Sequence, residues 1–170
     1  VFQGFNYLGG GTGSGELIAP VAAAPVPVHA ASDVIAVYSN SYTVLDGTDF
    51  NPGWGQSTAY STVDLEGNEA IKLGALNYQG IALAGNNDVS GMTYLHLDYW
   101  TANSSALNVF LISPGPLEAG KALDVPTQGW NSIDIPLSEF TGVNLTEVFQ
   151  FKFDGNGDIF IDNIYFHNGG

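Results

Sequence analysis

The sequence predicts an all-β fold: a jelly-roll-like antiparallel β-sandwich preceded by an extended Gly/Pro-rich N-terminal arm. Three observations carry this. The 170 residues hold 22 glycines, 8 prolines and one methionine beside many β-branched and aromatic residues, a composition of strands and turns. Turn-forming residues recur between short apolar runs, giving about eight to ten strands at the spacing of a sandwich. Residues 147–166, EVFQFKFDGNGDIFIDNIYF, read as two strands closed by a tight turn. In the first arm Phe149, Phe151 and Phe153 alternate with Gln150, Lys152 and Asp154, one buried face against one wet face. Asn156-Gly157 supplies the positive φ angles of a two-residue hairpin. The second arm is apolar on both faces except for Asp162 and Asn163, which suits a strand deep in the sandwich. A carboxylate placed there needs a partner.

Taken in order, residues 1–32 form an arm or linker and residues 33–170 the sandwich domain. The arm holds Gly9-Gly10-Gly11, a Gly/Ser run to Gly15, and VAAAPVPVHAAS, so it mixes flexible and polyproline-like stretches. Proline lacks the N–H of a central strand, so residues 20–29 fit only a sheet edge or a surface groove. Val21, Val26 and Val28 are its small anchors, and Phe2, Phe5 and Tyr7 its larger ones. The aromatic end is expected to dock on another subunit or module, or to be a neighbouring module's tail.

Next come VIAVYS as a strand, and SYTVLDGTDFNPGWGQ as a loop around Trp54. STAYSTVDLEG and EAIKLGAL form a hairpin around Gly67-Asn68, and NYQGIALAG follows as a strand. MTYLHLDYWT and ALNVFLIS read as a strand pair joined at Asn103-Ser104-Ser105. KALDVP and GWNSIDIPL are further strands, and SEFTGVNLTEV is the one helical turn, kept short by Gly142.

Charge narrows the partners. Three basic residues (Lys72, Lys121 and Lys152, with no arginine) stand against 17 acidic ones, a net charge of −14. Such a surface repels nucleic acid, anionic membranes and acidic polysaccharides, leaving neutral ligands and divalent cations. Solubility alone is the competing explanation for the acidity. Without cysteine there is neither a disulfide framework nor a thiolate zinc site. No run approaches the roughly 20 apolar residues of a membrane span, so membrane insertion is not expected, and no signal peptide is recognised. The chain reads as a mature soluble product.

GTDFNPGWGQ, LNYQG, DVSGMTYLHLDYWT, LNVFLISPGP, GWNSIDIPLSEF and FQFKFDGNGDIFIDNIYF together resemble a carbohydrate-binding-module type β-sandwich. Such modules belong to secreted bacterial glycoside hydrolases and surface glycan-binding proteins. The resemblance runs from Asp33 to about His167 and leaves the arm without a counterpart. It implies a jelly-roll sandwich, an extracellular or cell-surface location, non-catalytic polysaccharide binding and often a structural calcium ion (Ca2+). The family's association with glucan-degrading systems, with the missing arginines, favours a neutral β-glucan such as laminarin. By the same resemblance the metal falls to Asp162 with Ser39 and Ser41 of the first strand. The competing reading has Asp162 accepting backbone N–H bonds at a bulge. A different class of function also stands: a structural subunit of an extracellular or virion assembly, docked through its arm.

The residues themselves point to sugar contacts. In MTYLHLDYWT, Leu95, Leu97 and Tyr99 share the core face, and Tyr94, His96, Asp98 and Trp100 the opposite one. Rings and hydrogen-bonding groups on one outer face suit a pyranose, whose C–H groups stack while its hydroxyls meet polar side chains. Gln150 and Lys152 continue such a surface, and Trp54 in its Gly-rich loop and Tyr78-Gln79 complete the ligand-binding set. Packing is the competing reading for each tryptophan, and Trp130 is assigned to packing. No catalytic residues are assigned, because no nucleophile elbow or metalloprotease motif is present. His29, His96 and His167 are scattered, without metal-ligand spacing. Asp154-x-Asn156-x-Asp158 opens like a calcium loop, but Ile159 stands where that loop needs glycine.

Overall fold

The computed structural model of the chain describes residues 16–169, so the docking expected of Phe2, Phe5 and Tyr7 lies outside the described residues. The strands are β1 (Val34–Tyr38), β2 (Ala59–Leu65), β3 (Asn68–Gly74), β4 (Tyr78–Asn87), β5 (Tyr94–Trp100), β6 (Leu107–Ser113), β7 (Leu117–Ala122), β8 (Asn131–Pro136), β9 (Val148–Gly155) and β10 (Ile159–His167). A four-stranded sheet runs β4-β9-β6-β7, and a six-stranded sheet runs β2-β3-β10-β5-β8 with β1 also on β10. All strand pairings are antiparallel. Ile81, Leu111, Phe151 and Phe153 from the first sheet meet Leu73, Leu95, Leu97, Ile161 and Phe166 from the second, which makes the core of a sandwich.

The terminal hairpin is a correction. β9 and β10 do not pair: β9 lies between β4 and β6, and β10 lies between β3 and β5 in the other sheet. The expected pair β5–β6 is likewise split between the sheets. Asn156-Gly157 turns the chain across the sandwich, because its polar groups are taken by the other crossing loop. Asn156 N–H donates to Ala106 O at 3.0 Å, and its Oδ1 accepts Ser105 N–H at 2.8 Å. Its Nδ2 donates to Ser105 Oγ at 2.9 Å, and Asn103 bonds both the amide and the carboxylate of Asp158. At Gly157 (φ 78°) a Cβ would stand 2.8 Å from Ser104 Cα, so only glycine lets the two loops approach this closely. Asn156→Ala is expected to cost about 1–2 kcal/mol. The check is a lower urea midpoint at unchanged m-value; an unmoved midpoint would make this tie dispensable.

Smaller departures have local causes. A bulge in β9 brings Val148 rather than Phe149 into the core. The β2–β3 turn is Glu66-Gly67, with φ of 58° and 82°, one residue before the expected dipeptide. β7 begins earlier than KALDVP, and the helical turn is a single 3-10 turn at Leu137–Glu139.

The described part of the arm, from residue 16, lies across the outer face of the six-stranded sheet. Its carbonyls are claimed by side chains of the sandwich: Trp130 Nε1 donates to Ala22 O (2.9 Å), Asn163 Nδ2 to Pro25 O (3.0 Å) and Tyr42 OH to His29 O (2.7 Å). Val21, Val26 and Val28 are not the anchors, being 68%, 79% and 91% exposed. Pro20 and Ala24 are buried in their place. A proline-interrupted segment makes no ladder, so small residues fit beneath it and branched ones face outward.

Candidate functional site

The two outer faces differ: one is roofed and the other open. On the six-stranded sheet Leu95, Leu97 and Tyr99 point inward as expected, but the outward residues lie beneath the arm and its neighbours. His96 is 8% exposed, Asp98 1% and Trp100 6%. They do not form an open platform, which corrects their expected role as ligand contacts. Trp100 packs edge-on against Phe160 at 5.7 Å, in a cleft shared with Leu17, Pro126 and Gly129. Tyr94, at the rim, stacks on His167 at 5.1 Å. The missed feature is the arm itself, because alternation predicts which face is outward and not what covers it.

Asp162 sits at a break in the β10–β5 register next to Asn163, whose φ is 51°. Its Oδ1 accepts the Asn163 N–H at 2.7 Å and its Oδ2 accepts Asn68 Nδ2 at 2.9 Å, the bulge arrangement. Burial, with Asp98 nearby, raises its pKa to about 6. Ser39 and Ser41 turn elsewhere: Ser39 Oγ donates to Asn163 Oδ1 at 2.8 Å and accepts the Ser41 N–H at 3.0 Å. Asn68 Oδ1 is buried with no hydrogen-bond partner among the described residues. The Asp162 carboxylate and this amide oxygen are two hard oxygen donors, of the about six to eight that a calcium ion takes. Asp154, Asn156 and Asp158 bind Asn108, the 103–106 loop and Ala75 respectively, and do not converge as a calcium loop.

The three histidines, distant in sequence, meet in space, which corrects the reading of them as scattered. His29 of the arm stacks on His167 at 3.8 Å and contacts Tyr165 OH through Nδ1 at 2.9 Å. His96 and His167 both reach Asp134. Burial and the neighbouring His167 lower the His29 pKa. At His96 burial acts downward, but bonds to Asp98 and Asp134 outweigh it and hold the imidazole above its ordinary value.

The four-stranded sheet keeps an open outer face. Register sets three rows across β4, β9, β6 and β7: Tyr78, Asp154, Asn108, Ala122; Gly80, Lys152, Phe110, Gly120; and Ala82, Gln150, Ile112, Glu118. In the middle row the end positions carry no side chain, and rings lie in the space. A Cβ at Gly80 would stand 2.5 Å from Trp54 Cζ3, and one at Gly120 2.5 Å from Phe110 Cε2. Trp54 is fixed from below by Tyr78 OH donating to its carbonyl at 2.8 Å. Between the rings Lys152 Nζ lies 4.2 Å from the Phe110 centroid and 2.7 Å from Glu118 Oε1. Asn108 Nδ2 donates to Asp154 Oδ1 at 2.8 Å. Trp54, Asn77, Tyr78, Lys152 and Asp154 line a shallow cleft of about 440 Å³.

Of the expected ligand set, Trp54, Tyr78, Gln150 and Lys152 therefore come together here. Gln79 does not: it is buried, and its Nε2 reaches Phe50 O, Asn51 Oδ1 and Gly80 O, tying down the Trp54 loop. Phe110, Asn108 and Asn77 are additions. A glycine inside a strand marks a close approach, so Gly80 and Gly120 were the signal for the two rings.

No protein-family model matches the chain, and neither does any curated protein. Solved structures do. The family 11 carbohydrate-binding module from Clostridium thermocellum, in complex with a β-1,3-1,4-mixed-linked tetrasaccharide, aligns with a TM-score of 0.58 at 16% identity, over 80% of this chain and 96% of that one. The family 30 module of a cellulosomal cellulase of Clostridium thermocellum gives 0.57 at 13%, over 80% and 98%. A family 28 module specific for non-crystalline cellulose gives 0.51 at 15%, over 72% and 89%. The chain thus has the fold of carbohydrate-binding modules, the β-sandwich that its sequence resembles.

Proposed function

We propose that this chain is a non-catalytic module that binds a neutral polysaccharide on the outer face of its four-stranded sheet. The observation that carries the reading is the middle row, where Trp54 lies on Gly80 and Phe110 lies beside Gly120, flanking Lys152. The outer strands of this sheet stand about 14 Å apart, a width that seats several consecutive sugar units. Ring faces meet pyranose C–H groups, while Asn77, Asn108, Asp154 and Gln150 offer hydrogen bonds to hydroxyls. A net charge of −14 supports a neutral ligand. The favoured ligand is a β-glucan such as laminarin, met outside the cell. The role read here is binding rather than hydrolysis, which the fold shared with carbohydrate-binding modules supports. A structural calcium ion held by Asp162 and Asn68 belongs to the same reading. No helix among the described residues is long and apolar enough to cross a membrane.

The test is calorimetric titration with laminarin, mixed-linkage β-glucan and soluble cellulose derivatives. Trp54→Ala should weaken binding about tenfold or more, the loss of a stacked ring at the centre of a contact. Gly80→Val should do the same by lifting Trp54 off the sheet. Unchanged affinity in both variants, with the fold intact, would move the site off this face.

A further inference from the structure

We propose that His96, His167 and Asp134 form a binding site for a divalent transition-metal ion, with zinc as the representative. The three residues stand on adjacent strands β5, β10 and β8, all on the outer face of the six-stranded sheet. His96 is paired with Asp134 across β5–β8, and His167 is paired with Tyr94, two residues before His96 on β5. One ligand atom from each lies within 4.8 Å of the others. His96 Nδ1 and His167 Nε2 converge on the same oxygen, Asp134 Oδ1, at 2.9 and 2.7 Å. Both rings are buried, while the carboxylate side chain is 43% exposed, so the site reaches solvent on its Asp134 side.

Two imidazoles and one carboxylate around a shared point form the donor set of zinc and its first-row neighbours, and a solvent molecule completes four-coordination. The surroundings match what such a site needs. His96 Nε2 lies 3.0 Å from Asp98 Oδ1, and Asp98 is itself fixed by Asn163 Nδ2 at 2.7 Å. A buried carboxylate behind a ligating histidine sets its tautomer and raises its basicity. The ring of His96 is stacked on Tyr165 at 4.5 Å, and His167 is clasped between His29 at 3.8 Å and Tyr94 at 5.1 Å. The ion takes the place of the two N–H protons now directed at Asp134 Oδ1. His96 retains its proton on Nε2, toward Asp98. His167 carries its proton on Nδ1, so the Gly169 N–H, now 3.1 Å from that nitrogen, turns away. Nitrogen donors separate this site from the hard-oxygen site at Asp162, so the two ions are chemically distinguishable.

Zinc chloride titrated into metal-free protein should bind with one-to-one stoichiometry and raise the melting temperature. His167→Ala and Asp134→Ala should each weaken that binding at least tenfold, and both variants should still bind glycan, which reports that they fold. His29→Ala removes a stacking partner and no ligand, so it should retain zinc binding. Absence of saturable binding, or binding that survives both ligand variants, would overturn the proposal. So would binding lost in His29→Ala but kept in Asp134→Ala, because the ion would then sit elsewhere.

Discussion

Trp100→Ala is expected to lower the unfolding free energy by about 3–5 kcal/mol, the cost of emptying a buried aromatic site. For a domain of this size that is a fall of roughly 10 °C in melting temperature. The ring is 6% exposed and packs edge-on against Phe160, its cross-strand partner in β10. Glycan affinity of the folded variant should be unchanged, because Trp100 and Trp54 lie on opposite outer faces of the sandwich. Thermal unfolding together with titration separates the two tryptophans. A Trp100→Ala protein that keeps its melting temperature but loses glycan would place the ligand on the six-stranded sheet, beneath a displaced arm.

Which parts were legible in the sequence follows from what side-chain patterns encode. Alternation in FQFKF and in YLHLDYW assigns inner and outer faces, and Leu95, Leu97, Phe151 and Phe153 are indeed core. Strand pairing is not encoded that way. Asn156-Gly157 has the φ preference of a hairpin, yet the same polar groups bridge to Ser105 and Ala106 and send the chain to the other sheet. Both solutions satisfy the turn, and only the partners available to β9 and β10 decide between them. For the same reason the sequence separated a wet face from a dry one on β5 but could not place the arm over it. Much of the described arm is held through its backbone carbonyls, which are identical in every residue, with the His29 side chain as a further tie. Trp54, Tyr78, Gln150 and Lys152 were recognisable as polar or aromatic groups beside strands, whereas Phe110 was hidden in an apolar run. His29, His96 and His167 are 67 or more positions apart, and strand order alone brings them together.

Removal of divalent cations should make stability fall as pH rises from about 4 to 7, and Asp162 should account for the effect. Its folded pKa is about 6, raised from 3.8 chiefly by burial. The native state therefore holds a proton in this window that the unfolded state has released. Stability is then highest below the unfolded pKa and declines as the carboxylate ionises inside the protein, by about 2–3 kcal/mol in all. Other groups titrate as well: hydrogen bonds to His167 and His96 outweigh burial at Asp134 and depress its pKa, giving stability that is lost as pH falls, and the raised pKa of His96 gives stability that is lost as pH rises past its ordinary value. The informative quantity is thus the difference between wild type and Asp162→Asn across the same pH range. Asparagine keeps an oxygen for the Asn163 N–H and has no charge to bury, so the variant should lack the decline. Calcium restored at neutral pH should raise the melting temperature of wild type, because the ion binds the native state and offsets the buried charge. Asp162→Asn should show no such rise, since a hard cation favours a charged oxygen. Parallel pH profiles for the two proteins, with no calcium response in either, would leave Asp162 as a carboxylate stabilised by Asn68 and Asn163 alone.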